Sequence, residues 1–412
     1  MNIRHLWPSI CVSLSLFWNA NGQTPSQPTE PIRTVDYIDT SFANASPVWY
    51  EFDSNGTVQV HLLYDHERHS PNRAAGHFHF RVHGTPGSVI RIEFNNLENV
   101  WNGKKASVAK ELKAAAISRD GQTWKTIGMF ATDDGRAGLE VTLESDSVFV
   151  ARIQPYRLSD LDQMLQRIRS DDRVSIQEIG RTVENRSIEM VRIGKPNAAN
   201  HVFLRARAHP WEAGGNWVVE GLVERLLSDD AVSVDFLEQC CVSILPMANK
   251  DGVARGRTRF NSLGKDLNRN WDKPTDAALC PENAALERWL EQEIAAGRKP
   301  DLAMELHNDG SGKLHISRPP VPNLEQHVQR MRLLESLLRR YTWFTEGATE
   351  ASFRNSGTLG DGWLERFGID ATVHEFNCHW IAGLQKHPEA EDWKNYGRQL
   401  PLVFRDYLRH RP

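Results

Sequence analysis

The sequence predicts an α/β fold with a mixed or parallel sheet, preceded by a small antiparallel β-sandwich. From about residue 34 to residue 156, short segments alternate apolar and polar residues between turn signals such as Asp120-Gly121, as half-buried strands joined by hairpins do. After Leu158, strands alternate with longer amphipathic helices, a pattern typical of a sheet covered by helices. We therefore expect the sandwich over residues 23–156 and the α/β domain over residues 157–412.

Length and composition indicate a globular chain and exclude one class of partner. The 412 residues include 49 Lys and Arg against 53 Asp and Glu, so the formal net charge is −4, and 40% of the residues are hydrophobic. This length allows two or three domains. A slightly acidic balance without a basic block gives no electrostatic footprint for nucleic acid, so no nucleic-acid partner is expected.

Residues 1–22 predict a cleavable signal peptide. Arg4 and His5 precede an apolar run over residues 6–18, and small residues follow at Ala20 and Gly22, as export signals require. The run is too short for a transmembrane helix. The sequence therefore predicts an exported protein, periplasmic or extracellular, without stable membrane insertion after cleavage.

Four cysteines remain after removal of this segment: Cys240, Cys241, Cys280 and Cys378. Three disulfide pairings are possible and the sequence does not choose between them. Cys240 and Cys241 precede an apolar run, so they are interpreted as two buried thiols that enter a core strand.

Three histidines of the first region share one face of a predicted strand. His77, His79 and His83 alternate with Phe78, Phe80 and Val82, and alternate residues of a strand point the same way. Arg81 lies on the histidine face as a repelling cation, which favours a solvated face over a zinc site.

The predicted elements of the second region end at polar residues. Ser159 to Asp162 is interpreted as the cap of a helix over residues 162–168. A strand over residues 202–208 ends at His209-Pro210-Trp211-Glu212, ahead of a helix over residues 216–227. Further strands over residues 302–306 and 371–373 end at His307 and at His374-Glu375. In open α/β sheets, ligands bind at these carboxyl ends of strands.

A fourth strand, over residues 242–247, leads into a loop rich in cations. Its final segment, Asp266-Leu267-Asn268-Arg269, places an amide beside a guanidinium. This pair suits a bidentate grip on a carboxylate.

These groups together have the chemistry of a catalytic zinc site. His209, Glu212 and His307 form a set of two histidines and one carboxylate, which leaves the fourth position for water. Glu375 is the candidate general base, taking the proton of this activated water. Arg259 is the candidate group that polarises the scissile carbonyl.

With these residues, the chain resembles the zinc carboxypeptidases of the funnelin type, most closely the cytosolic-carboxypeptidase-like branch, which has its own β-sandwich. The resemblance lies in residues 78–82 (FHFRV), 118–124 (SRDGQTW), 155–161 (PYRLSDL), 179–186 (IGRTVENR) and 209–212 (HPWE), and it extends over the loop at 256–269. It implies a mixed-sheet catalytic domain that holds one zinc ion per chain.

The resemblance also implies the role of each site residue. His209, Glu212 and His307 become the zinc ligands, Glu375 the catalytic glutamate and Arg259 the carbonyl polariser. Asn268 and Arg269 become the binders of the substrate's terminal carboxylate, and Asp266 orients a ligating histidine. The implied reaction is hydrolysis of C-terminal residues from peptides or proteins.

Some alternatives stay open at this stage. A related zinc amidase or deacylase, acting on N-acyl amino acids or peptidoglycan stem peptides, would use the same ligands. A binding module with vestigial catalysis is disfavoured, because all the catalytic groups are present.

Two features of the substrate site also stay open. No tyrosine lies between Tyr341 and Tyr396, so the substrate-covering tyrosine of many relatives is missing, and Phe353 or Trp363 is expected in its place. Asp361 facing the pocket would favour terminal Lys or Arg, whereas Arg354 there would favour terminal Glu or Asp.

Overall fold

A computed structural model describes residues 34–354 and 357–411. The predicted signal peptide, residues 1–22, lies outside them. Thr34–Pro412 forms one compact unit. The predicted fold class is confirmed, because antiparallel sheets come first and an α/β layer with a mixed sheet follows. Among the described residues, no helix has the length and apolar character needed to cross a membrane.

Two five-stranded sheets and one smaller sheet make up the first region. The strands are β1 Val35–Asp39, β2 Val48–Phe52, β3 Val58–Leu62, β4 Asp65–His66, β5 Arg73–Ala74, β6 His79–Gly84, β7 Val89–Asn95, β8 Glu98–Trp101, β9 Lys104–Ser107, β10 Ala114–Ser118, β11 Trp124–Gly128, β12 Phe130–Ala131, β13 Ala137–Thr142 and β14 Ser147–Ala151. A short 3₁₀ helix, Ala109–Glu111, lies between β9 and β10.

The strand orders are β1-β6-β14-β10-β11, β12-β13-β7-β3-β2 and, in the small sheet, β4-β5-β8-β9. All pairs between these strands are antiparallel except β3 with β7. Side chains of both five-stranded sheets share one core, in which Phe78 stacks on Phe94 at 4.3 Å between ring centroids. This is the predicted sandwich, with one parallel pair added.

The second region is a seven-stranded sheet with helices on both faces. Its elements are α1 Leu158–Ile168, β15 Val174–Arg181, β16 Ser187–Ile193, β17 Asn200–Ala206, α2 Gly214–Leu226, α3 Ala231–Gln239, β18 Cys240–Leu245, α4 Lys250–Ala254, α5 Pro281–Ala295, β19 Leu302–Asp309, β20 Leu314–Ile316, α6 Leu324–Tyr341, α7 Leu359–Phe367, β21 Asp370–Asn377 and α8 Ala390–His410.

The strand order is β15-β16-β18-β17-β19-β21-β20. The four central strands, β18, β17, β19 and β21, are parallel, and the outer strands pair antiparallel. Val202 and Leu204 of β17 belong to the core under α1, α2, α3, α6 and α8, whereas Phe203 belongs to the core under α5 and α7. A central strand buried on both faces explains why its sequence is almost continuously apolar.

Helix α1 begins four residues earlier than the sequence predicts. Leu158 is its first residue, and the carboxylate of Asp160 accepts a hydrogen bond from the main-chain N–H of Arg157 at 2.6 Å. The capping box therefore forms at Arg157, two residues before the predicted capping segment, and Asp160, which belongs to that segment, provides the capping oxygen.

The histidine face of β6 is not solvated, so this prediction was wrong. His77 and His79 are buried, and the His79 Nδ1 lies 3.0 Å from the Asn44 Oδ1. Asn44 in turn donates to the main-chain oxygen of Val253 at 2.9 Å. The α/β region covers this face of the sandwich, which a strand pattern taken by itself does not reveal.

The four cysteines of the described residues are free thiols. Cys240 and Cys241 are buried at the start of β18, which confirms their interpretation as core thiols. Burial raises the pKa of Cys241 to about 11, so this thiol stays protonated at neutral pH.

Candidate metal centre and substrate site

A tight turn between β17 and α2 carries His209 and Glu212. Arg207 starts this turn with a positive φ of 64°, and its buried guanidinium donates to the Pro210 main-chain oxygen at 2.6 Å and to the Asn216 Oδ1 at 2.9 Å. One side chain thus joins the beginning, middle and end of the turn, which fixes the spacing of His209 and Glu212.

Two glycines bring this turn against β19. A Cβ atom on Gly214 would lie 2.5 Å from the Asn308 Nδ2, and one on Gly215 would lie 2.9 Å from the Leu306 Cβ. Any side chain at either position would push α2 away from the strand. The main-chain N–H of Gly214 donates to the Asn308 Oδ1 at 2.8 Å. The glycine pair therefore lets the turn reach His307, which lies between these two β19 residues.

The side chains of three residues, His209, Glu212 and His307, lie close together and are called the triad below. The His209 Nδ1 lies 2.8 Å from the Glu212 Oε1, the His307 Nδ1 lies 2.6 Å from the Glu212 Oε2, and the two Nδ1 atoms are 3.1 Å apart. All three residues are buried. Ligands of tetrahedral zinc, with bonds of about 2.0–2.2 Å, are about 3.3–3.5 Å apart. The three side chains therefore fit one zinc ion with little rearrangement.

The outer nitrogens of both histidines have fixed neighbours. The His209 Nε2 lies 3.1 Å from the Asp266 Oδ1. The His307 Nε2 lies 3.2 Å from the Asn268 Nδ2 and 3.4 Å from the Glu305 Oε1. For His209, the carboxylate of Asp266 at Nε2 favours the tautomer in which Nδ1, facing Glu212, carries the lone pair that a metal ligand requires.

The charges of the triad are mutually adapted. Burial alone would raise the pKa of Glu212, but His209 and His307 outweigh burial and lower it. Burial alone would lower the pKa of His307, but Glu212 and Glu305 raise it well above its usual value. The carboxylate and the imidazoles therefore stabilise each other's charged forms, in the place where a cation would offset the carboxylate.

The loop that contains Arg259 is anchored to the first region. The carboxylate of Asp65 accepts hydrogen bonds from the main-chain N–H groups of Arg259 and Phe260, both at 2.8 Å. The Arg259 Nε donates to the Asp266 Oδ2 at 2.8 Å. Asp266 therefore contacts both His209 and Arg259, which sets the distance between the metal centre and this guanidinium.

Asn268 and Arg269 lie beside the triad but differ in their remaining hydrogen-bonding capacity. The Asn268 Oδ1 accepts from the Leu359 N–H at 2.9 Å, and its Nδ2 faces His307. The Arg269 guanidinium donates to the main-chain oxygen of Asn268 at 2.7 Å. The Arg269 side chain lines the cavity, and no other hydrogen bond of its guanidinium occurs among the described residues. Arg269 thus has more donors to offer an incoming carboxylate than Asn268 has.

Glu375 is paired in register with His307, because β21 runs parallel to β19. It is half-buried, and its Oε2 has no hydrogen-bond partner among the described residues. Burial and the carboxylate of Asp309 raise the pKa of Glu375 well above its usual value. An unpartnered carboxylate oxygen with increased proton affinity has the properties of a general base.

A cavity of about 320 Å³ is lined by six of the seven predicted site residues, His209, Glu212, Arg259, Asn268, Arg269 and Glu375. The seventh, His307, has its Nδ1 3.1 Å from the His209 Nδ1. A second cavity, of about 1370 Å³, adjoins the first. The two share only Trp101 and Arg269 among their lining residues. Arg354 and Asp361 both line the second cavity, so the choice between an acidic and a basic terminal residue stays open.

Residues of the first region also line the smaller cavity, among them Trp101 and Arg152, which the sequence did not single out. Trp101, at the end of β8, lies under the guanidinium groups of Arg259 and Arg269, at 4.7 and 5.5 Å from Cζ to ring centroid. Arg152 follows β14. No local signal identifies either residue, since both depend on how the two regions pack together.

Trp363 and Phe353, the two residues expected in place of the missing tyrosine, differ in burial and location. Trp363 is fully buried between Phe203 and Trp271, so it does not cover the substrate. Phe353 is partly exposed and lines the larger cavity. Among the described aromatic residues, Trp101 contacts the site arginines most directly.

Residues 161–303 match the family model of the zinc carboxypeptidases. An uncharacterized protein of Zymomonas mobilis is 29% identical over 240 residues, covering 56% of this chain and 58% of the relative. Cytosolic carboxypeptidase 2 of Danio rerio is 29% identical over 222 residues, covering 47% of this chain and 30% of the relative. The chain therefore spans between about a third and three fifths of these relatives' lengths.

The crystal structure of a metallo-carboxypeptidase from Burkholderia cenocepacia superposes with a TM-score of 0.77 and covers 90% of this chain and 98% of that one. At 22% identity, this likeness shows a shared fold. It includes the first region, because 90% of the chain cannot be covered by residues 157–412 alone.

Proposed function

We propose that this protein is a zinc-dependent metallocarboxypeptidase that removes C-terminal residues from peptides or proteins, because residues 161–303 match the family model of the zinc carboxypeptidases. One observation carries the proposal. His209 and Glu212 of the buried triad, Glu375 with its unpartnered oxygen, and the two arginines Arg259 and Arg269 line a single cavity. This is the set of groups that hydrolysis next to a free carboxylate needs.

His209, Glu212 and His307 would hold one zinc ion. The buried set of two imidazoles and one carboxylate leaves room for an exchangeable ligand, as in catalytic rather than structural zinc sites. When bound, the ion supplies Lewis acidity, which polarises a carbonyl oxygen and increases the acidity of water.

The protein's own residues account for substrate binding and proton transfer. Arg269, with Asn268 beside it, holds the terminal carboxylate through charge-assisted hydrogen bonds. Arg259, fixed by Asp266, stabilises the negative charge that develops on the scissile carbonyl oxygen. Glu375 accepts a proton from the attacking water and delivers it to the leaving amine.

We also propose that the mature protein is exported, on the strength of the predicted signal peptide at residues 1–22. Expression of the full-length gene in its host, fractionation and N-terminal sequencing test this. A mature chain that starts near residue 23 in the exported fraction supports it, and a full-length chain retained in the cytoplasm contradicts it.

The central experiment combines metal analysis with a peptide library varied at its last residue. Purified protein should contain about one zinc per chain, and mass spectrometry should show loss of single C-terminal residues. The same peptides with amidated C-termini should be poor substrates, because Arg269 then lacks its partner. Release of an N-acyl group from acyl amino acids, with intact peptides untouched, would instead support the deacylase alternative.

His307→Ala is the matched test of the metal centre. It should lose zinc and activity together, because it removes one of three ligands. His410→Ala, at the exposed end of α8, is the control and should keep both. Zinc-free wild-type protein with full activity would refute the proposal.

A further inference from the structure

We propose that Arg152, contributed by the sandwich, binds the main-chain carbonyl oxygen of a substrate residue on the amino-terminal side of the scissile bond. This rests on the proposed function, which fixes the direction of the substrate in the cavity. It gives the sandwich a part in substrate binding.

Arg152 has donors but no adequate acceptor. The residue is only 5% exposed, and its Nε and Nη2 have no hydrogen-bond partner among the described residues. The carboxylate of Glu111 approaches the Nη2 to 3.6 Å, which is an ion pair without a hydrogen bond. Buried guanidinium groups usually have their donors satisfied. An unsatisfied arginine that lines the catalytic cavity therefore indicates a missing ligand.

Trp211 fixes this guanidinium close to the metal centre. The Arg152 Cζ lies 3.6 Å from the centroid of the Trp211 ring, and Trp211 is the residue immediately before the ligand Glu212. Stacking on an indole occupies only the face of the guanidinium, so its in-plane N–H donors, of which Nε and Nη2 are buried, keep their capacity to form hydrogen bonds. The position of Arg152 is therefore tied to that of the triad, although it belongs to another region of the chain.

The arrangement of the two cavities indicates that Arg152 contacts the part of the substrate on the amino-terminal side of the scissile bond. The larger cavity reaches the smaller one at Trp101 and Arg269, and Arg152 lines only the smaller one. A terminal carboxylate held by Arg269 places the C-terminal side chain towards the larger cavity. The rest of the peptide must then leave past the triad, along the part of the smaller cavity that Arg152, Glu111 and Trp211 help to line.

A neutral carbonyl oxygen is the ligand that best fits the charges. Glu111 already offsets the charge of Arg152, so a second carboxylate would meet repulsion as well as attraction. A peptide carbonyl accepts a hydrogen bond without this penalty, and every peptide substrate provides one. The site would therefore favour longer peptides without selecting their upstream side chains.

A series of substrates of increasing length tests the site. A dipeptide with a free amino terminus, which has no carbonyl upstream of the scissile one, is compared by kcat/KM with N-acyl tripeptides and tetrapeptides that share its C-terminal residue. Wild-type kcat/KM should increase with length. Arg152→Ala should reduce kcat/KM for the tetrapeptide by about 10-fold or more, as expected for loss of a charge-assisted hydrogen bond, and should change the free dipeptide less than about 2-fold.

Further variants separate binding from structural effects. Arg152→Lys should restore part of the loss, and Arg119→Ala, an exposed arginine of the sandwich, should leave the length dependence unchanged. Placing glutamate instead of alanine at the upstream position of the tetrapeptide should not increase the dependence on Arg152; a stronger dependence would mean that the site binds a side-chain carboxylate and would refute the carbonyl assignment.

Two other results would overturn the proposal in distinguishable ways. Equal losses at every peptide length, with lowered zinc content or melting temperature, would show that Arg152 is structural while the carboxypeptidase activity stands. A wild-type enzyme that hydrolyses none of these peptides would refute the proposed function and the Arg152 site with it.

Discussion

Glu375 has both the position and the raised proton affinity that a general base at this site needs. It lies opposite His307 in the parallel pair of β19 and β21, and burial together with Asp309 raises the pKa of its carboxylate. A cation at the triad would oppose this shift and bring the proton affinity back towards the working range. The base is therefore matched to the metal that the adjacent residues would hold.

Glu375→Gln should lower kcat by roughly 10²–10⁴, because the amide cannot accept the proton. Zinc content and KM should change little, since Glu375 is not among the predicted ligands. Steady-state kinetics and metal analysis of the same preparation check both expectations. Glu325→Gln, exposed at the start of α6, is the control; undiminished turnover in Glu375→Gln would contradict the assignment.

Asp266 couples the metal centre to Arg259, because one oxygen faces the His209 Nε2 and the other accepts from the Arg259 Nε. Asp266→Asn should weaken zinc affinity by about 10–100-fold, as loss of a carboxylate behind a ligating histidine does. Competition with a chelator measures this. Asp229→Asn, fully exposed, should keep wild-type affinity. An unchanged affinity in Asp266→Asn would show that Asp266 does not orient His209.

At the scale of secondary-structure elements, the sequence predicted those strands that have a clear local pattern of apolar residues. The strands that present His209, His307 and Glu375 were placed within a few residues, because buried strands of a parallel sheet are continuous apolar runs. The hairpin of β8 and β9 gave no comparable signal: its residues are half-buried or exposed, and β9 is polar. Its contribution to the site therefore appears only when the two regions are packed together.

That hairpin supplies Trp101, whose ring lies under both site arginines. Trp101→Ala should raise KM and lower kcat/KM by roughly 3- to 30-fold, because cation–π contacts of about 0.5–2 kcal/mol that orient Arg259 and Arg269 are lost. Trp101→Phe should retain part of the activity. Trp49→Ala, another partly exposed sandwich tryptophan, should behave as wild type; equal behaviour of Trp101→Ala would contradict the role.

At the scale of the whole molecule, the sandwich and the α/β region depend on each other. Asp65 anchors the loop of Arg259, and Asn44 joins His79 to the end of α4. These contacts use single polar residues without periodicity, so the sequence could place the change of pattern near residue 156 but not the docking. The wrong prediction of a solvated face at His77 and His79 has the same origin.

The buried histidines make the stability of the whole molecule dependent on pH. Burial, and the nearby charge of Arg157, lower the pKa of His79 to about 3. Burial likewise lowers the pKa values of His374 and His379 to about 3. Between pH 3 and the unfolded value of about 6.5, the unfolded chain binds more protons than the native one, so stability falls as pH falls through this window. Each histidine should cost about 2 kcal/mol between pH 7.5 and pH 5.

Urea unfolding at these two pH values measures the loss, and His79→Gln isolates one contribution to it. The variant should be less stable than wild type at pH 7.5, because the contact with Asn44 is altered. It should nevertheless lose about 2 kcal/mol less on acidification, because glutamine does not titrate. His410→Gln, whose side chain is exposed, should show the wild-type loss. Since the predicted zinc ligands titrate equally in all three proteins, identical losses in His79→Gln and wild type would show that His79 is not held neutral by the packing of the sandwich against the α/β region.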